Sequence, residues 1–350
     1  MMKIERRDFL RTGALAALCA PAASAFASGK PEKAGSVKFC AFSDIHYYPG
    51  RFPHDNRAWL ERILARAERS RCDFVIQLGD FTHNPLKQID YVNFYNDFRI
   101  PTHHTVGNHD FDQCPHEAVY DAYRIENGYH FFDHGGFRFI SVDTNNSYCN
   151  GIWRHYGDKS KPAPNFNAGG HVLNRVPPEE LEWLKAAIES SPHPCVVTSH
   201  ASFEREEDGS PDREAVRKIF NDANARTPGK VRLVINGHYH CDHLRLLDGI
   251  VYLDLNSASN FWYGTVHKGY PAEETRRYVY MQNMLIWKDP LSAVITLSQD
   301  GGIRIEGMKG AFYRDVTPAV AKCPAAIHGR QVTPNVQSFD MKFDYAAMSV

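Results

Sequence analysis

The sequence predicts an α/β protein whose sheets have parallel character, and three observations carry that expectation. Short apolar runs of strand length, such as "VKFCAF", "FVIQL" and "VRLVIN", recur along the chain. Helical stretches separate them, and strand–helix–strand alternation argues for βαβ units. The chain has 350 residues, 43% hydrophobic and 23% charged, which is enough to bury a large core.

In chain order, "VKFCAFSDIH" reads as a buried strand ending near Asp44, followed by a helix over roughly residues 56–70. "CDFVIQLGDFTH" is the next strand, ending at Gly79-Asp80. A helix then precedes "PTHHTVGNHD", a strand running into Asn108 and His109. "YHFFDHGGFRFISVDTN" predicts a hairpin turning at Gly135-Gly136. Residues 145–176 are rich in Gly, Pro, Asn and aromatics and read as a long loop or insertion, a type of segment that is often functional. "PPEELEWLKAAIESS" is a helix with prolines at its start and acids in its first turn. "PCVVTSHAS" is a strand ending at His200, "SPDREAVRKIFNDA" a helix, and "VRLVINGHYH" a further strand. Two strand-like runs follow around "LRLLDGIVYLDLNS", then a hairpin turning at Asp300-Gly301-Gly302. The residues after about Cys323 show weak periodicity and read as an extended tail.

The first 27 residues read as a targeting segment. Arg6-Arg7 precede Asp8, Phe9 and Leu10, a moderately apolar run follows, and Ala25-Phe26-Ala27 offers a cleavage site. The pair resembles a twin-arginine signal, which implies export of an already folded chain to the periplasm or medium, with the twin-arginine machinery as a partner. The apolar run is too short to span a bilayer, and Leu18 before Cys19 argues against lipidation, so no stable membrane anchor is expected. The net charge is −1 and no long basic run appears, so no nucleic-acid partner is expected. Seven of the 8 cysteines lie beyond the signal and none forms a CxxC pair, which argues against a zinc ribbon. Cys40, Cys72 and Cys195 sit in apolar runs and read as small core residues.

Five polar signals end five apolar runs: Asp44-Ile45-His46, Gly79-Asp80, Gly107-Asn108-His109-Asp110, His200, and Gly237-His238-Tyr239-His240. A lone Gly-Asp is usually a turn, and a lone Ser-His usually an ordinary strand-end histidine. All five together are a different matter, because α/β sheets bind ligands beyond the carboxyl ends of their strands. Carboxylate and amide oxygens mixed with imidazoles suit Fe, Mn or Zn.

In this order the signals resemble the calcineurin-like metallophosphoesterase family, over about Phe39 to His240. The resemblance implies a four-layered α/β sandwich, with two mixed sheets flanked by helices, occupying residues 36–315 ahead of a C-terminal extension at 323–350. It implies two divalent or mixed-valence metal ions and hydrolysis of small phosphomonoesters or phosphodiesters by a metal-activated hydroxide. Asp44, His46 and His240 would bind one ion and Asn108, His200 and His238 the other, with Asp80 bridging. His109 would face the substrate as general acid, oriented by Asp110.

"NGHYHCDH" also fits His-x-His-x-Asp-His, the first zinc motif of the metallo-β-lactamase fold. There the motif comes early with further ligands after it. Here it comes late, only His267 and His328 follow, and Asp44, His46, Asp80, Asn108 and His109 would go unexplained. A non-catalytic metal- or phosphate-binding protein on the same fold is the other alternative, and no expected ligand is missing to signal it. Purple acid phosphatases place a metal-binding tyrosine where this chain has His83, so that branch is disfavoured and His83 is expected behind the ligands or facing substrate. Trp153, His155, Tyr156 and the "NSASNFWYG" segment are candidates for an aromatic rim.

Overall fold

The computed structural model describes residues 35–159 and 172–348. The signal reading at 1–27 and the middle of the 145–176 insertion lie outside the described residues.

Two six-stranded mixed sheets pack face to face. In the first, β1 (Ser36–Phe42), β2 (Phe74–Leu78) and β3 (Thr102–Thr105) run parallel. The second is built on β5 (Phe137–Val142), to which β4 (His130–His134) adds antiparallel across the Gly135-Gly136 turn. The described parts of the insertion form a small sheet of their own, β6 (Asn146–Cys149), β7 (Ile152–His155) and β8 (Val172–Arg175). The second sheet continues in parallel with β9 (Cys195–Ser199), β10 (Val231–Asn236) and β12 (Ile250–Asp254), and ends at antiparallel β11 (His243–Leu247). A short hairpin joins β13 (Asn260–Trp262) to β14 (Met284–Ile286). Antiparallel β15 (Ala293–Ser298) and β16 (Gly302–Glu306) then complete the first sheet. Its edge is Phe339–Lys342, so the extended tail supplies a strand.

Helices cover both outer faces, giving four layers. On the first sheet lie α1 (Asn56–Arg69), α2 (Ile89–Asn96) and α3 (His116–Tyr123). Asp55 caps α1 by accepting the N–H of Arg57, and Trp59, Leu60, Ile63, Leu64 and Ala67 form its buried stripe. On the second sheet lie α4 (Pro178–Glu189), which opens with Pro178 and two acids, and α5 (Arg213–Arg226). Between the sheets Phe39 stacks on Phe74, and Phe139 meets both edge-on. The outer core places Leu184, Ile188, Val216 and Phe220 against Val197, Val234 and Tyr252. Cys40, Cys72 and Cys195 are buried in the cores, and all seven described cysteines are free.

Candidate metal centre

The carboxyl ends of β1, β2, β3, β9 and β10 meet at the top of the two sheets, and each delivers one of the five polar signals. The local backbone is special there. Asp44, His46, Asp80, His238 and His240 all have left-handed φ, at 54°, 50°, 52°, 70° and 58°. Such residues cost on the order of 1–3 kcal/mol each and persist where the surroundings hold them. Asp and His tolerate this region better than branched residues do. The turn also needs glycine at position 79, where φ is 100° and a Cβ would run into His200 and the backbone of Gly107. At Gly237 a Cβ would collide with Ser43 and Asp44.

The side chains fall into two neighbouring sets. Asp44, His46 and His240 present ligand atoms to one another, and so do Asp80, His200 and His238. In the first set His240 Nε2 lies 3.1 Å from Asp44 Oδ1 and 3.2 Å from His46 Nε2. Asp80 faces both sets, with Oδ2 3.7 Å from His46 Nε2 and Oδ1 3.3 Å from His200 Nε2. Ligands about 2.1 Å from a shared ion sit roughly 3–4 Å from each other, so these spacings fit metal coordination. Asn108 Oδ1 and His200 Nε2 are buried without a hydrogen-bond partner, which also fits donors turned toward a cation.

Hydrogen bonds fix which ring nitrogen faces inward. His200 Nδ1 donates to the Leu78 carbonyl at 2.8 Å, leaving Nε2 for the centre. His46 Nδ1 lies 3.2 Å from His83 Nε2, and His83 Nδ1 lies 2.8 Å from Asp112 Oδ2. With His83 donating to the Asp112 carboxylate, its Nε2 accepts from His46, so His46 keeps a lone pair on Nε2. Asp44 is held by the Ser43 hydroxyl and the His238 N–H, both donating to Oδ2. Asp80 Oδ1 accepts the backbone N–H of His109 at 2.8 Å.

The electrostatics call for positive charge. Burial works against ionising Asp80, but His200, His109 and His46 hold its carboxyl well below the usual range. Burial likewise opposes charge on His200, yet Asp80 and Asp44 push it up to about 10. Burial takes His238 down to about 3 and His46 well below its ordinary value, so both are neutral and free to donate to a metal.

His109 stands at the edge, with a side chain 37% exposed. Its Nδ1 lies 2.8 Å from Asp112 Oδ2, not against Asp110. Burial lowers its pKa, but Asp80 and Asp112 outweigh that and raise it. The expectation that Asp110 orients His109 is therefore corrected. Asp110 is fully buried, and its Oδ1 accepts the N–H groups of Phe81 and Thr82 and the Tyr123 hydroxyl, while Oδ2 accepts the Gly107 N–H. It fastens the β2 turn to the β3 turn.

Two further residues that sequence reasoning passed over stand at the centre. Asn174 of β8 brings Nδ2 to 3.4 Å from His238 Nε2, and Arg51 reaches His83 from the loop after β1. Neither belongs to a motif, and only the folded chain brings them there. Among the aromatic residues named as rim candidates, Tyr156 is buried, His155 Nε2 bonds Asp143, and Trp153 packs on Tyr148 and Arg175, whereas Trp262 is exposed. Tyr239 packs beneath Arg205. Asp242 accepts the Gln337 N–H, and His243 lies against Glu204.

A model of the calcineurin-like phosphoesterase family matches residues 37–242, more than half the chain. A search of curated proteins finds no match. Among solved structures, the chain is similar to a dimetal phosphatase from Danio rerio, at 14% identity and a TM-score of 0.53, covering 88% of this chain and 99% of that one. It also matches a structure of PhoD at 12% identity and a TM-score of 0.47, covering 80% and 68%. At these identities the first likeness speaks for the fold, and the second adds nothing to it. With the matched segment containing every strand end that builds the centre, the chain belongs to the calcineurin-like phosphoesterase family.

Proposed function

We propose that the protein is an exported phosphoesterase that hydrolyses small phosphomonoesters or phosphodiesters with two divalent ions, Fe, Mn or Zn. One observation carries the reading: Asp80 turns one carboxylate oxygen toward each of two ligand sets. Asp44, His46 and His240 would hold one ion, and Asn108, His200 and His238 the other. A bound pair supplies Lewis acidity toward the phosphoryl oxygens and activates water. The chain's own residues do the rest. Asp112 orients His109, whose Nε2 is then presented outward to give a proton to the leaving oxygen. Asp112 also fixes the His46 tautomer through His83, so one carboxylate serves both proton transfer and metal binding.

The Arg6-Arg7 segment supports twin-arginine export to the periplasm or medium, which suits a chain that folds around metal before it crosses. Among the described residues no helix is long and apolar enough to cross a membrane. The test is a screen of phosphomonoesters and phosphodiesters on protein reconstituted separately with Mn, Zn and Fe. Metal-dependent turnover of at least one ester class is expected. Two bound ions with no turnover of any ester would leave a binding protein in its place.

A further inference from the structure

Arg51 is held in an unusual way. Its Nη1 is 3.5 Å from His83 Nε2, a long contact to a nitrogen that His46 already uses, and its Nε is buried without a partner. Among the described residues it makes no ion pair. Aromatic rings hold it instead: the guanidinium lies 5.6 Å from the centre of Trp262, 5.4 Å from Tyr280 and 5.8 Å from Phe52. Trp262 and Tyr280 are 41% and 46% exposed, and their ring centres lie 6.3 Å apart with the planes tilted at 53°. Elsewhere the partly buried arginines have carboxylate or carbonyl partners. Arg138 is paired with Asp133, Arg175 with Asp212, and Arg66 with the carbonyls of Ser292, Glu306 and Gly307.

Fixing a long side chain has an entropic cost. Here the rings fix it beside the histidine that supports His46, with donors left over. A guanidinium fork of this kind matches carboxylate or phosphate oxygens. The reacting phosphoryl belongs over the two ligand sets, and the arginine lies beside them, against the His83 that bonds His46 of the first set.

We propose that Arg51 is a specificity-determining residue that binds a second anionic group lying next to the reacting phosphoryl, with Trp262 and Tyr280 as the wall that holds it. The substrates it selects are phosphoanhydrides and phosphorylated acids, compounds with two neighbouring anionic groups. The inference rests on the phosphoesterase reading only for which group reacts.

The experiment is calorimetric titration of the Mn-reconstituted protein with orthophosphate and with pyrophosphate, metal content being measured after each run. Arg51→Met should weaken pyrophosphate binding by roughly 10–100-fold, the scale of a lost charge-assisted pair, and leave orthophosphate within about threefold. Arg51→Lys, which keeps the charge and loses the fork, should fall between. Equal loss for both anions, or loss for neither, at unchanged metal content would overturn the proposal. If no ester is ever turned over but pyrophosphate binding still depends on Arg51, the phosphoesterase reading fails and this inference stands. If esters are hydrolysed and Arg51→Met leaves the preference for pyrophosphate intact, the reverse holds.

Discussion

His109 and Asp112 show how a single turn of backbone decides roles. Residues 108–111 form a 3₁₀ turn, in which positions i and i+3 lie one above the other. His109 and Asp112 therefore face each other, and Asp110, next in sequence to His109, turns inward to the backbone. His109→Ala is expected to keep its metal and lose roughly 10²–10⁴-fold in rate on alkyl esters. The loss should be much smaller on nitrophenyl esters, whose leaving group needs no proton. Asp112→Asn should give a milder rate loss of the same kind and, because that carboxylate also fixes His46 through His83, a lower metal content. Asp110→Asn should instead lower stability, by on the order of 1–3 kcal/mol for each backbone N–H left unpaired. Parallel kinetics on the two ester types and a denaturant titration separate these outcomes, and equal loss of both esters with loss of metal in His109→Ala would make His109 a ligand. The side chains of the five motifs were legible in the sequence because each stands at the end of an apolar run. Asp112 and Arg51 were not, because a carboxylate or an arginine in a loop carries no pattern until the loop has a shape.

The same contrast holds for whole elements. β2 and β10 are buried along their entire length, so their apolar runs announced them. β6, β7 and β8 are short, half-buried and carry Asn, Arg and His, and in the sequence they passed for loop. In β8, polar contacts add to its pairing with β6 and to the packing of Leu173 on the core. Arg175 forms a two-pronged bond to Asp212 at 2.6 and 2.7 Å, and the Val176 N–H donates to the same carboxylate. That pair flanks Asn174, whose N–H donates to the Tyr156 hydroxyl and whose side chain lies beside His238. Asp212→Asn is expected to cost about 1–3 kcal/mol and to speed hydrogen exchange in β8 before the main sheets. Wild-type exchange in β8 would mean that the small sheet is held elsewhere. The tail likewise gave little signal, since a four-residue edge strand with exposed side chains has too few positions to show a period.

At the scale of the molecule, the chain packs two sheets face to face so that five strand ends converge from both, and no single element contains the site. Net charge is close to zero overall, yet the converged pocket is short of positive charge, with His200 pushed up to about 10 by Asp80 and Asp44. Loading metal before export would answer that need. Replacing Arg6 and Arg7 with Lys should accordingly trap the protein in the cytoplasm, as fractionation and blotting would show, and undiminished export would indicate the general secretory route. Asp80 is proposed to join two ions through one carboxylate, and metal analysis of wild type and Asp80→Asn, each reconstituted and dialysed, decides whether it does. Two ions per chain are expected in the wild type, and in the variant a loss of metal together with nearly all activity. Two ions retained by Asp80→Asn with activity intact would contradict that role.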